Sequence, residues 1–272
     1  MPEIRIHAVL ASGLGLAVAL LTVAPAAAQS DPATQILLGN PSGAVASASY
    51  PSNYLLQRPQ LAASYHRDNG IPNWVSWHVS TTDLGAAGRC NCFSSDQSLP
   101  SGWYRVTSGS YTNSGFDRGH MTPSADRTRT SADNRATFFM TNVLPQAPDN
   151  NQGPWARMED YLRSLVRSGK ELYVISGGDE SAGTIDGGHV RVPRFTWKVV
   201  LVLDAGSNDL ARVDTSTRTI AVSIPNRAGV RSNDWRVYRT SVDQVEIWTG
   251  YNFFSALPNS IENVIEARVD DL

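Results

Sequence analysis

The residues best suited to chemistry begin with Asp117-Arg118-Gly119-His120, which packs an acid, a guanidinium and an imidazole into four positions. An imidazole titrates near neutrality, so it can take a proton from water at physiological pH. A neighbouring guanidinium suits phosphate, which it grips with two parallel hydrogen bonds. Gly119 removes bulk between the two and lets backbone or ligand approach closely. The same tetrapeptide would equally serve as a turn with a salt-bridged Asp–Arg pair and a structural histidine.

A second cluster lies downstream, where Asn142-Val143-Leu144-Pro145-Gln146 leads into Asp149 to Glu159. Pro154 stands where a first helical residue tolerates proline, and Gly169 where a helix ends. Between them Trp155, Met158, Leu162, Leu165 and Val166 form one apolar stripe. Helical residues are turned by about 100° each, which puts Glu159 about 40° from Trp155, at the edge of that stripe. Arg163 is the next position along the edge and the i,i+4 partner of Glu159. Asn151 offers a carbonyl oxygen, a suitable hard ligand for Mg²⁺, and Glu159 could orient the waters of that ion. Asn151 would also serve as a helix cap, and Glu159 with Arg163 as a solvated pair.

The elements that position these groups are mixed. Asn73 to Val79 alternates at period two, like a half-buried strand. Leu172–Ser176, Phe195–Leu203 and Thr217–Ile224 are β-branched runs bounded by Gly, Pro, Asp or Asn. Ser241-Val242-Asp243-Gln244 and Asn259-Ser260-Ile261-Glu262 resemble capping boxes that open two C-terminal helices. The expected fold is α+β, with a central, mostly antiparallel sheet flanked by helices.

Composition agrees with a folded domain: 272 residues, 41% hydrophobic, 18% charged, net charge −2. Such a chain has no broad basic coat, so any polyanion must be held by a local cluster. Only Lys170 and Lys198 are lysines; the remaining basic residues are arginines. Cys90 and Cys92 are too few for a disulfide framework or a four-cysteine zinc site, and are left as loop thiols, a structural disulfide or a redox pair. The run Ala8–Val23 carries no charge and is followed by Ala26-Ala27-Ala28, which reads as a secretory signal peptide over 1–28 rather than a membrane anchor. Residues 29–50 are Ser/Ala/Pro-rich and are expected to be loosely ordered, with a single domain over 51–272. No further segment is apolar enough to span a bilayer, so no membrane insertion is expected after processing.

Taken in order, Asp117-Arg118-Gly119-His120, Thr141-Asn142, Pro145-Gln146, Asn151-Gln152-Gly153, Trp155 and Glu159 resemble the DNA/RNA non-specific endonuclease family, the ββα-metal or His-Me finger enzymes. The likeness is fullest to secreted cyanobacterial sugar-non-specific members. It extends through Pro72 to Trp77, Asp126-Arg127, Pro148 to Asn151, Leu172-Tyr173, Asn233 to Arg236 and Thr249-Gly250-Tyr251. The resemblance implies a ββα-metal catalytic core and an exported hydrolase that cuts DNA and RNA without sequence specificity, leaving 5′-phosphate and 3′-hydroxyl ends. It makes His120 the general base, Asn151 the direct ligand of a hydrated Mg²⁺ or Mn²⁺, and Glu159 and Asp117 supports acting through metal-bound water. Arg118, Arg89 and Arg163 would neutralise the phosphate. A protein inhibitor is an expectation by family analogy. Two other readings compete: a nucleic-acid-binding protein of the same scaffold with impaired catalysis, and a periplasmic binding domain whose polar residues are structural.

Overall fold

The computed structural model describes residues 1–2 and 31–272. Apart from its first two residues, the expected signal peptide lies outside the described residues. In chain order the strands are β1 (Tyr54–Gln57), β2 (Ala62–His66), β3 (Ile71–Val79), β4 (Asp117–His120), β5 (Val143–Gln146), β6 (Lys170–Asp179), β7 (Thr184–Ile185), β8 (Val190–Arg191), β9 (Phe195–Asp204), β10 (Arg218–Pro225) and β11 (Arg239–Thr240). The helices are α1 (Ser131–Ala136), α2 (Pro148–Asn150), α3 (Ala156–Arg167), α4 (Asp209–Arg212), α5 (Val242–Thr249) and α6 (Asn259–Glu266).

Seven strands form one sheet in the order β1-β2-β3-β6-β9-β10-β11. Each neighbouring pair runs antiparallel. The expected α+β architecture is therefore present. Its central strands read as continuous apolar runs because both faces are covered, and the period of two divides them. Leu172, Val174, Val200, Val202 and Val222 face one core, with Met158, Leu162 and Val166 of α3. Tyr173, Ile175, Val199, Leu201 and Ala221 face the other, with Val242, Val245 and Ile265 of α5 and α6. Trp74 and Trp77, odd in separation, enter opposite cores and are fully buried. Their indole N–H groups donate to Ser42 Oγ (2.8 Å) and Asp126 Oδ2 (3.1 Å). Neither ring is open for stacking on a base.

Residues 31–50 correct an expectation. Composition suggested a loose segment, yet a 3₁₀ turn at Pro32–Ile36 packs against the sheet. Buried Gln35 donates to Pro59 O (2.8 Å), while its Oε1 accepts the His78 N–H (2.9 Å) and its carbonyl accepts the Ser76 hydroxyl (2.5 Å). Leu38 and Ala44 join the core under α5 and α6. A small-residue composition does not prevent ordering when an adjacent strand offers unpaired backbone groups. Among the described residues no helix is long and apolar enough to cross a membrane.

Helix boundaries shift for local reasons. Asn151–Trp155 forms a wide turn with Gly153 in a non-helical conformation (φ −111°, ψ −117°), so α3 starts at Ala156 and not at Pro154. A Cβ on Gly153 would stand 2.9 Å from Arg231 Cα, so the close passage of that segment explains the glycine. Ser241 caps α5 by accepting from Gln244 N (3.1 Å), as its sequence suggests. Asn259 does not cap α6; Pro258 holds that position and no side chain caps the helix.

Candidate active site

The hairpin β4–β5 pairs Asp117 with Gln146, Gly119 with Leu144 and His120 with Val143. Alternation along β4 places Arg118 and His120 on one face. Gly119 is required by Gln146: a Cβ there would lie 1.9 Å from Gln146 Oε1. The close approach inferred from the glycine is thus made by a buried side chain and not by a ligand. Behind His120, Asn142 rivets the connecting segment, accepting from Thr122 N (2.9 Å) and donating to Thr122 O (2.9 Å) and Thr137 O (2.8 Å).

From β5 the chain passes through α2 and the wide turn into α3, and the resulting ββα unit encloses a cleft of about 460 Å³. Arg89, Arg118, His120, Asn151, Glu159 and Arg163 all line it, alongside Gln152 and Ser124. Asp117 stands behind Asn151 instead of lining the cleft. Its Oδ2 accepts from Asn151 Nδ2 (2.9 Å) and Gln152 Nε2 (2.7 Å). A carboxylate only accepts, so this pair turns the Asn151 amide nitrogen toward Asp117 and leaves Oδ1 as its free end. The Asn151 side chain caps no helix, and Asp117 forms no ion pair with Arg118 among the described residues. The turn-and-cap reading of these motifs therefore fails, and the donor set of a carbonyl and a carboxylate fits a hard divalent cation.

His120 is 8% exposed and lies between Phe138 (ring centroids 4.7 Å) and Phe93 (5.0 Å). Its Nε2 is buried without a hydrogen-bond partner. Burial first, then the positive charges of Arg89 and Arg118, pull its pKa from 6.5 to about 3. The ring is therefore neutral across the physiological range and lines the cleft, while its Nε2 is shut away from solvent and unpaired. Leaving such an atom unpaired costs on the order of 1–3 kcal/mol.

The arginines are held in different ways. Arg89 donates to Ser124 Oγ (2.8 Å) and Asn91 Oδ1 (2.8 Å), and packs over Phe138. Arg118 lies over Phe93, 4.6 Å from the ring centre. Neither is ion-paired with a carboxylate among the described residues, so both charges are available to an anion. Cys90 and Cys92 are joined in a disulfide that brackets Asn91, which settles their state.

The Glu159–Arg163 pair needs correction. Arg163 is buried and forks between Asp126 Oδ1 (3.0 Å) and Asp160 Oδ1 (2.6 Å), not Glu159. The cation nearest Glu159 is Lys198, with Nζ 3.8 Å from Oε1. Lys198 is completely buried, lies 4.1 Å from the Trp155 ring centre and 5.7 Å from that of Trp77, and has no hydrogen-bond partner. Burial raises the Glu159 carboxyl above the ordinary carboxylate range, and Lys198 and Arg163 offset this only in part. Burial lowers the Lys198 ammonium, with Glu159 opposing. The sequence signal for Lys198 was a lone lysine inside the apolar run of β9, a position that lysine occupies only when paired. Lys198→Met, which keeps length and loses charge, is expected to raise the Glu159 carboxyl further. The acid limb of the activity profile would then move to higher pH, and a pH–rate profile matching the wild type would reduce Lys198 to packing.

An antiparallel hairpin feeding a helix, with an imidazole, an oriented amide and unpaired arginines around one cleft, defines the ββα class of nuclease. A profile of the DNA/RNA non-specific endonuclease family matches residues 38–260. A nuclease of Nostoc sp. is 46% identical over 268 residues, which cover 95% of this chain and 97% of that protein. Human mitochondrial nuclease EXOG is 30% identical across 72% of this chain, which spans 55% of that longer protein. Human mitochondrial endonuclease G is 35% identical over 147 residues, 49% of each chain. The fold matches that in a crystal structure of the EndoG/EndoGI complex at a TM-score of 0.73, with 21% identity over 86% of this chain and 96% of that one. The chain belongs to the DNA/RNA non-specific endonuclease family, and is a nuclease that hydrolyses phosphodiester bonds.

Proposed function

We propose that this nuclease is exported, depends on Mg²⁺ or Mn²⁺, and cuts DNA and RNA endonucleolytically without sequence preference, leaving 5′-phosphate and 3′-hydroxyl ends. The observation that carries this reading is the neutral His120 ring lining one cleft with an Asn151 amide whose orientation Asp117 sets. His120 accepts the proton of the water that attacks phosphorus. Asn151 Oδ1 would hold the metal and Glu159 its waters, and the bound ion supplies positive charge to the leaving and non-bridging oxygens. Asp117 acts by positioning Asn151. Arg89 and Arg118 hold the phosphate, and Arg163, tied to Asp126 and Asp160, adds charge from the cleft wall. Contacts confined to phosphate and sugar carry little sequence information, which supports cleavage of both nucleic acids.

Duplex DNA, single-stranded DNA and RNA incubated with Mg²⁺, Mn²⁺ or EDTA test the reading, with product ends scored by ligation without prior phosphorylation. Cleavage confined to one nucleic acid, persistence in EDTA, or nucleic-acid binding without cleavage would overturn it. Export is tested by N-terminal sequencing of the protein recovered outside the cytoplasm, which should begin at Gln29. The single domain of this enzyme spans 51–272 and carries the packed segment before it. A protein inhibitor that covers the cationic cleft is also proposed, on the likeness to the EndoG/EndoGI complex.

The pH dependence follows from the site. A group whose pKa lies at about 3 keeps its free nitrogen well below 6.5, so loss of activity on acidification above pH 5 reports Glu159 and not His120. Phe93→Ala admits water to the imidazole and should move the His120 limb upward, toward its ordinary value. Rates of both proteins measured from pH 4 to 9 check this: Phe93→Ala should bring a second acid limb into the range, making the loss steeper, and a profile identical to the wild type would remove His120 from the titration.

A further inference from the structure

Helices α5 and α6 bring three carboxylates together on the face of the sheet opposite the nuclease cleft, with a further glutamate nearby. Ligand oxygens of Asp243, Glu246 and Glu266 all lie within 4.8 Å of one another. Glu262, one turn before Glu266 on α6, lies close enough to act electrostatically on Glu246 and Glu266. Glu262 and Glu266 are 8% and 3% exposed, and the Oε1 atom of each is buried with no hydrogen-bond partner. Glu246 Oε1 accepts the Phe253 N–H at 2.8 Å, which leaves its second oxygen for another partner.

Among the described residues no lysine, arginine or histidine is ion-paired with any of the four. The arginines of the flanking segments are committed elsewhere: Arg218 and Arg239 to Asp270, and Arg268 to the Thr215 carbonyl. Burial and the mutual repulsion of these groups raise the carboxyls of Glu262 and Glu266, the latter to about 8. Buried, unpartnered carboxylate oxygens in the company of like charges would be costly unless a cation or shared protons meet them. Another triad, His78, Glu171 and Asp209, makes a useful contrast. There the Arg212 guanidinium already bonds both carboxylates, so nothing is missing.

We propose that Asp243, Glu246 and Glu266 bind one calcium ion that clamps α5 to α6, with Glu262 beside them adding negative charge. Carboxylate oxygens with variable denticity suit Ca²⁺, which takes 6–8 oxygens in flexible geometry, better than the rigid octahedron that Mg²⁺ demands. Asp243 and Glu246 are only half-buried, so water can complete the shell on that side. The site is independent of the catalytic reading.

The test uses calorimetric titration with CaCl₂ at pH 7.5, and thermal melts with and without the ion. The protein carries Asn151→Ala, so that calcium in the nuclease cleft does not contribute. One calcium ion should bind with a dissociation constant of about 10⁻⁴–10⁻³ M or tighter, and the melting temperature should rise with calcium. Adding Glu262→Gln and Glu266→Gln should weaken binding at least tenfold and make the melt insensitive to calcium. If that variant does not fold, Asp243→Asn, at a half-exposed position, makes the same comparison. No calcium bound to the Asn151→Ala protein, or equal binding by the glutamine variant, would mean that shared protons relieve the cluster, and would overturn the proposal.

Discussion

His120→Ala should fold like the wild type, bind nucleic acid with little change, and turn over about 10²–10⁴-fold more slowly. The expectation rests on position. The ring caps the aromatic pair Phe93 and Phe138 at the cleft and makes no hydrogen bond through Nε2, so its removal leaves Arg89 and Arg118 in place. What is lost is the acceptor for the proton of the attacking water. Because His120 reaches the cleft from a strand and leaves space when truncated, added imidazole should partly restore His120→Gly. Single-turnover cleavage at saturating metal, alongside circular dichroism to verify the fold, makes the comparison. Turnover near that of the wild type would end the general-base assignment, whatever the family.

Asn151→Ala should fail differently. Its side chain contributes one contact, the bond to Asp117, and one free carbonyl oxygen. Truncation removes the only direct side-chain ligand assigned to the metal. Activity should fall by more than 100-fold at ordinary Mg²⁺, and excess Mn²⁺ should recover part of it. Asp117→Ala keeps the carbonyl but frees the amide to rotate, so its loss should be the 10–100-fold typical of groups that orient a ligand. The readout is the metal concentration at half-maximal rate, with nucleic-acid affinity measured separately in EDTA. If Asn151→Ala leaves the metal dependence unchanged and weakens substrate binding instead, Asn151 is a substrate contact and the metal lies elsewhere.

The two variants separate what could be read along the chain from what could not. The tetrapeptide at 117–120 and the segment from Asn151 to Glu159 stood out because the chemistry needs particular side chains close together in sequence. The sheet was equally legible, since period-two patterning and buried apolar runs are local properties of a strand. Helix α3 starts two residues after Pro154 because the Arg231 segment, distant in the chain, passes too close for Gly153 to be helical. Composition does not reveal the order of residues 31–50 because it comes from distant partners, the His78 N–H and Ser76 hydroxyl of β3 and the Pro59 carbonyl.

Electrostatics depended most on the tertiary fold. An i,i+4 spacing correctly put Glu159 and Arg163 on one side of a helix, but it could not say that Asp126, 37 residues away, would take the guanidinium. Nor could it say that a lysine from the middle of the sheet would come up beneath Glu159. The candidate site residues, their order and the elements carrying them are thus legible in the sequence alone. The charge state of His120, the counter-ion of Glu159 and the orientation of the Asn151 amide were decided only when distant segments closed around them. The physical reason is range: side-chain type and periodicity act within a few residues, whereas burial and Coulomb interactions depend on whatever the fold brings within a few ångströms.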